Sequence, residues 1–307
     1  MNTKIIDGYQ LAEQHRLALI PRVKELLAQG KKPSVAAILF VEDSGSVLYT
    51  NLKREMAESL GIDYQVFSYS INDSVRQIVD KVKELGRDPQ ITGIIVQKPW
   101  RNLWITTRKL ELEQGKREFS AWWTALVSAI NPTKDVDGLH PSTLTAIQTG
   151  DWQTKGKVLP ATCRAVIELA KEAFSTTDLF THLQNQQFKT VILGKSDLLS
   201  QPLFALLKSK KLSVEMIGSQ ELSKRIEQKV FLKDADLIIS ATGRRKLVTD
   251  ELIKTGAVII DVGEPQGDVD LASVLDKSSA VTPVPGGVGP MTVICLLENT
   301  IELLDML

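Results

Sequence analysis

Little in the sequence is of the kind that most quickly betrays a chemistry. It has two cysteines in 307 residues, Cys163 and Cys295, too few and too far apart for a disulfide framework or a zinc spacing, so both read as packing residues in a reducing compartment. Three histidines, His15, His140 and His182, are scattered along the chain; neither a His-rich metal site nor a His-centred triad has support, and no metal is expected. Lys plus Arg equals Asp plus Glu at 37 each, which leaves no global field to attract nucleic acid or an anionic membrane. No run of about 18 apolar residues occurs, and the segment Met1 to Asp7 lacks the apolar core of a signal peptide. A cytoplasmic protein with a small ligand, and with neither nucleic acid nor membrane as partner, is the expectation.

What is present is ordinary globular composition, 43% hydrophobic and 24% charged, in a chain long enough for two domains with a cleft between them. A helix-spaced stretch from Gly8 to Gln29 is followed by a continuous apolar run, Ser34 to Val41, the pattern of a strand buried on both faces. Helix from about Ser46 to Leu60, strand near Tyr64 to Tyr69, helix from about Ser74 to Leu85 and strand Ile91 to Val96 then alternate, which predicts a parallel α/β sheet. Residues 101–130 break the rhythm; four of the five tryptophans fall between Trp100 and Trp123, as the core of an added helical hairpin or as an aromatic wall for a ligand. After Gly150 a second alternation begins: strands at Thr190 to Leu193, Ser213 to Ile217, Leu237 to Ser240 and Val258 to Asp261, with helices from Arg164, Gln201 and Asp250, in the order of a dinucleotide-binding Rossmann half. The chain closes on a helix from about Val293.

Five segments carry candidate chemistry. Tyr49 and Lys53 stand four apart on a helix that follows a buried strand, so a phenol and an amine share a face near the strand's carboxyl end; the same lysine also fits a surface position. Gln97 leaves a strand with an amide that donates and accepts, and Lys98-Pro99 ends the pairing, as a substrate clamp or a plain strand end. Asp135 and Asp137, two apart in Lys134-Asp135-Val136-Asp137-Gly138, point the same way if extended, and either suits an amino-heterocycle or an ammonium. Gly194-Lys195-Ser196 opens a strand-to-helix turn whose backbone N–H groups suit a pyrophosphate. Pro283-Val284-Pro285-Gly286-Gly287-Val288-Gly289-Pro290 is neither helix nor central strand by composition, a bent and rigid loop that lines a ligand or links domains.

Taken in order, the Tyr49-to-Lys53 helix, Val96-Gln97-Lys98-Pro99, Lys134 to Gly138, Ile260-Asp261-Val262-Gly263 and Pro283 to Thr292 resemble the bifunctional methylenetetrahydrofolate dehydrogenase/cyclohydrolases over almost the whole chain. The resemblance implies a two-domain α/β fold. A folate-binding domain at 1–148, with an insertion at about 101–128, is completed by the C-terminal helix 290–307, and a Rossmann-type NADP-binding domain occupies 149–289, with the active site in the cleft between them. It implies Lys53 as the catalytic amine, Gln97 as its hydrogen-bonding partner, Asp137 as the grip on the pterin and Tyr49 as its positioner. Lys98, Pro99, Pro285, Gly286 and Gly287 would line the substrate. Gly194, Lys195, Ser196, Ser200, Ser219, Thr242, Gly243, Val262 and Gly263 would hold the cofactor. Tetrahydrofolate derivatives are the implied ligands, a homodimer the implied assembly, and one-carbon supply for purine biosynthesis the implied setting.

Four departures from the family pattern stand out: Ser200 in place of a phosphate-loop glycine, Glu264-Pro265 in place of Ile-Asn with a shortened loop to Gly267, Trp100-Arg101 in place of Leu-Pro before the insertion, and Ala161 and Cys163 around Thr162. Cofactor choice follows separately. An NAD site places an acidic residue after the second strand, whereas Met216-Ile217-Gly218-Ser219-Gln220 has none, so NADP is expected and NAD less so, with Lys195 and Ser219 toward a phosphate. Two other readings remain open: a cyclohydrolase alone, with an impaired dinucleotide site, or a non-catalytic folate- or nucleotide-binding relative.

Overall fold

The computed structural model describes residues 2–306. A two-residue strand β1 (Lys4–Ile5) and a long helix α1 (Gly8–Ala28) lead into β2 (Ser34–Phe40), α2 (Ser44–Leu60), β3 (Asp63–Tyr69), α3 (Val75–Arg87) and β4 (Gly93–Val96). Helices α4 (Arg101–Thr107), α5 (Leu112–Val127), α6 (Pro141–Thr149), α7 (Ala161–Phe174) and α8 (Leu179–Asn185) follow. The second alternation is β5 (Thr190–Leu193), α9 (Ser200–Ser209), β6 (Val214–Ile217), α10 (Ser219–Glu227), β7 (Leu237–Ser240), β8 (Val258–Asp261), α11 (Leu271–Val274), β9 (Ala280–Val281) and α12 (Val288–Asp305).

Two compact units result. The first, the small-sheet unit, comprises Arg16–Ala146, Trp152–Leu159 and the chain from Leu296. Its three strands are parallel in the order β3-β2-β4, and β2 is central and buried along its length, as its unbroken apolar run requires. Asp43 starts α2 by accepting from the backbone N–H of Gly45 and Ser46 at 3.1 and 3.3 Å, and Gly61 ends it in the left-handed region at φ 79°. Thr50, Lys53, Ala57 and Leu60 form the buried stripe of α2 at three- and four-residue spacing. A lysine therefore sits where the helix should present an apolar side chain. The inserted helices α4 and α5 build their own aromatic core: Trp104 is fully buried, its ring centroid 5.4 Å from that of Phe119 and 5.5 Å from that of Trp122, and Trp122 lies 4.9 Å from Phe40 of β2. Trp104, Trp122 and Trp123 are thus packing residues of the hairpin, while Trp100 is 70% exposed.

The large-sheet unit holds Pro160–Cys295 with Ile147–Asp151 and the N-terminal segment up to His15. Its six strands are all parallel in the order β1-β9-β8-β7-β5-β6. The chain runs from β5 outward to β6 and then crosses back to β7 on the other side of β5, so the topological switch point lies between β5 and β7.

The division differs from the sequence expectation at both ends. Residues 2–15 belong with the large sheet because β1 extends its edge, Lys4 and Ile6 donating their backbone N–H to Ser279 and Val281 at 2.9 Å; a two-residue exposed strand has no periodicity to read. The last helix starts at Val288, before the expected 290, since Pro290 fits a first helical turn, and the unit boundary cuts it after Cys295. The helix expected from Asp250 is only a 3₁₀ turn, Asp250–Leu252, because Leu232 N–H bonds the Leu252 carbonyl at 2.8 Å and draws the next residue into a bridge with Leu232.

Candidate active site

Lys53 is 6% exposed, and its ammonium Nζ donates to Gln97 Oε1 at 3.3 Å. Gln97 comes from one residue past β4, held by a last ladder bond from its N–H to the Ile38 carbonyl at 2.9 Å, after which Pro99 ends the pairing. Asp137 is half-buried nearby. Burial pushes its carboxyl up to about 6, the neighbouring Lys53 charge pulling it down and the charge of Asp135 pushing it further up. Tyr49 is half-buried one helical turn before Lys53. Lys53, Gln97 and Asp137, from α2, the exit of β4 and the loop before α6, thus converge in one place.

The two expected carboxylates do not act alike. Asp135 is buried and fully engaged, accepting from the backbone N–H of Leu139 and His140 at 3.1 and 2.9 Å and from Thr143 Oγ1 at 2.9 Å; it shapes the loop that presents Asp137. Tyr64 joins this group without a sequence motif of its own. Its ring is buried on β3, and its hydroxyl is pushed up by burial and by the Asp137 charge, with the Gln97 amide countering. Tyr64 Oη and Gln97 Nε2 are both buried with no hydrogen-bond partner within the protein. Each such atom costs roughly 1–3 kcal/mol if left unpaired. Only strand register puts Tyr64 there, in line with Val35 and Gly93.

Lys98 and Pro99 lie where the inserted hairpin meets β4. Lys98 Nζ stands 4.9 Å from the ring centroid of Trp123 and 5.6 Å from that of Phe119, and Asp43 Oδ2 accepts from the Trp100 N–H at 2.8 Å. The start of α2 and the entry to the hairpin are tied through that one carboxylate.

In the large-sheet unit the expected cofactor residues gather at the carboxyl ends of β5, β6, β7 and β8. Gly194 marks the switch point: at φ 104° its place admits no side chain, since a Cβ would come within 2.3 Å of the Ala241 carbonyl oxygen. Thr242 is fixed by its N–H to Asp268 Oδ2 at 2.6 Å, and Asp268 also accepts from Ser240 Oγ at 2.8 Å. Asp261, pushed up to about 6 by burial, accepts from the N–H of Gly263, Asp268 and Val269 at 2.9, 3.1 and 2.9 Å. Those three bonds close the shortened loop that carries the exposed Glu264 and Pro265 and hold Val262 and Gly263 at the exit of β8. Ser196 accepts from Leu198 N–H at 3.2 Å, Lys195 and Gly243 are exposed, and Ser219 opens α10. Ser200, also expected at the cofactor, is fully buried at the first turn of α9, and its hydroxyl meets no partner within the protein.

Pro285, Gly286 and Gly287 fall in the large-sheet unit, against the first turn of α1. Gly8 N–H bonds the Gly286 carbonyl at 2.8 Å, and a Cβ on Gly8 would lie 1.9 Å from the Gly287 oxygen. Close backbone packing there accounts for the glycines.

The chain is similar to known proteins along most of its length. The catalytic domain of tetrahydrofolate dehydrogenase/cyclohydrolase matches residues 6–112, and the NAD(P)-binding domain of the same family matches 160–306; the stretch between, with most of α5 and Asp137, falls outside both. Bifunctional protein FolD of Staphylococcus saprophyticus is 34% identical over 98% of this chain and 96% of its own length. Among solved structures, the bifunctional enzyme FolD, a methylenetetrahydrofolate dehydrogenase/cyclohydrolase from Campylobacter jejuni, is 27% identical with a TM-score of 0.78 over 99% of each chain. The N5,N10-methylenetetrahydrofolate dehydrogenase-cyclohydrolase of Trypanosoma brucei, solved with NADP and an inhibitor, is 26% identical with a TM-score of 0.82 over 100% of this chain and 98% of that one. Matched in this way from end to end, the chain belongs to the tetrahydrofolate dehydrogenase/cyclohydrolase family and is an enzyme of one-carbon folate metabolism.

Proposed function

We propose that this chain oxidises methylenetetrahydrofolate with NADP and hydrolyses the methenyl product to formyltetrahydrofolate, with Lys53 as the proton acceptor. The observation that carries the reading is the buried Lys53–Gln97 hydrogen bond beside the elevated carboxyl of Asp137. Bound NADP supplies the hydride acceptor for the first step. In the second, water adds to the methenyl carbon and gives one proton to the Lys53 amine; as a carbon–nitrogen bond then opens, the remaining hydroxyl proton passes to the departing nitrogen and the carbon becomes the formyl group. Gln97 Oε1 holds that amine in place. Asp137 meets the amino-pyrimidine edge of the pterin, which draws its negative charge toward the ligand; together with the cation on the substrate this favours the neutral amine needed to take a proton. Tyr64 Oη and Gln97 Nε2 find their missing partners on the folate.

The residues at the cofactor end fit a dinucleotide: a turn at Gly194 without a side chain, backbone donors around it, and no carboxylate on Ile217-Gly218-Ser219-Gln220 to hold a ribose diol. The same reading extends to a cytoplasmic homodimer joined through the cofactor domain and to a formyl product used in purine biosynthesis. An assay of the purified protein with methylenetetrahydrofolate and NADP or NAD in parallel, following methenyl formation optically and then its hydrolysis, tests both activities. Hydrolysis without oxidation would leave a cyclohydrolase alone; neither step would overturn the reading.

A further inference from the structure

We propose that Arg244 is a second cation of the NADP site, binding the 2′-phosphate together with Lys195 and so setting the preference for NADP over NAD. The proposal rests on the NADP reading above.

Three strand exits converge on the first turn of α10. From β5, the stem of Lys195 lies across Gly218, where a Cβ would stand 3.1 Å from Lys195 Cε; the residue after β6 is small because the lysine occupies that space. From β7, the chain turns at Gly243 (φ 66°), and Arg244 N–H bonds Thr242 Oγ1 at 3.2 Å. The Arg244 guanidinium then reaches the same turn, Nη1 donating to the Ser219 carbonyl at 3.3 Å and to Ser223 Oγ at 2.6 Å. A guanidinium has five N–H donors, and these bonds use Nη1 alone. From β6 come the Ser219 hydroxyl and the N-terminus of a nine-residue helix with no side-chain cap.

A phosphomonoester on a ribose calls for charge-assisted donors from more than one side, and a planar fork beside a lysine point charge provides them. The nearest carboxylate in sequence, Glu221, already accepts from Arg225 Nη2 at 2.8 Å. Arg244 is exposed and completes no core, so packing alone gives no reason for a guanidinium at this position. Its two bonds to α10, at Ser219 and one turn later at Ser223, hold it beside Ser219.

Calorimetric titration of the full chain with NADP, NAD and adenosine 2′-monophosphate tests the assignment in wild type, Arg244→Gln, Arg244→Lys and Ser223→Ala. Arg244→Gln should weaken NADP and adenosine 2′-monophosphate roughly tenfold to hundredfold while NAD moves by less than about twofold. Arg244→Lys should recover part of the loss, and Ser223→Ala, which releases Nη1, should lose less than Arg244→Gln. Equal NADP affinity in Arg244→Gln and in a wild type that prefers NADP would overturn the Arg244 assignment alone. Parallel loss of NADP and NAD would make the residue structural and overturn it as well. A wild type without preference for NADP would overturn the NADP reading itself, a result visible before any variant is made.

Discussion

In the small-sheet unit the proposed working groups are side chains drawn from separate elements, Lys53 from α2, Gln97 from the exit of β4, Tyr64 from β3 and Asp137 from a loop, and two of their polar atoms are buried without partners. In the large-sheet unit the proposed cofactor surface is chiefly backbone, bent at Gly194 and Gly243 and held by two carboxylates, Asp261 accepting from three N–H groups and Asp268 accepting from a hydroxyl and an N–H through Oδ2, its buried Oδ1 without a partner. A side-chain site fails when one atom is changed. A backbone site tolerates changes of side chain and fails when the path of the chain is blocked.

The largest effect expected from this contrast is at Lys53. Lys53→Met should lower methenyltetrahydrofolate hydrolysis by about 10²–10⁴-fold, the range for loss of a general base, with circular dichroism and NADP binding unchanged; near-normal hydrolysis by the folded variant would remove the lysine from the mechanism. Gly194→Ala tests the other unit. A Cβ 2.3 Å from the Ala241 oxygen, at φ 104°, should cost more than about 2 kcal/mol and abolish dinucleotide binding. Folate binding should survive, and a thermal melt together with NADP titration would show whether the backbone path matters as argued.

Asp137→Asn is intermediate and has a signature in pH. Loss of a charge-assisted bond to the pterin should weaken folate roughly tenfold to hundredfold without changing NADP affinity. In wild type, folate affinity should fall as the pH drops below about 6, where the carboxylate is protonated. The stability effect has the opposite sense. The folded carboxyl titrates above its unfolded value of 3.8, so its contribution to stability is fully present below that value and is lost as the pH rises through about 6. Asp137→Asn should therefore be more stable than wild type by roughly 2–3 kcal/mol at pH 7.5, a gap that closes near pH 4. Denaturant midpoints at the two pH values measure it, and a gap that persists at the lower pH would contradict the assignment. The smallest effect belongs to the hairpin: Trp123→Leu removes one face of the cation–π contact on Lys98, worth about 0.5–1 kcal/mol, and should raise the folate KM by roughly two- to fivefold with kcat little changed.

Much of this protein was legible in its sequence. Unbroken apolar runs at Ser34–Phe40, Thr190–Leu193 and Val258–Asp261 specify buried parallel strands because both faces of such a strand meet helices. Spacing alone set Tyr49 and Lys53 on one helical face but left a surface position open to the lysine, and the fold turned that lysine inward between Thr50 and Ala57; the ordered motifs carry the family. Packing and register decided the rest. Asp135 and Asp137 are indistinguishable two residues apart, until the fold engages one with three donors and leaves the other facing Lys53. Tyr64 gains meaning only from the strands beside it, and Arg244 only from the crossing that returns β7 next to β5. Local sequence determines which segments are helix or strand through periodicity and burial. Which side chains from distant segments share a few ångströms is set by how those segments pair and pack, a relation that sequence spacing does not contain.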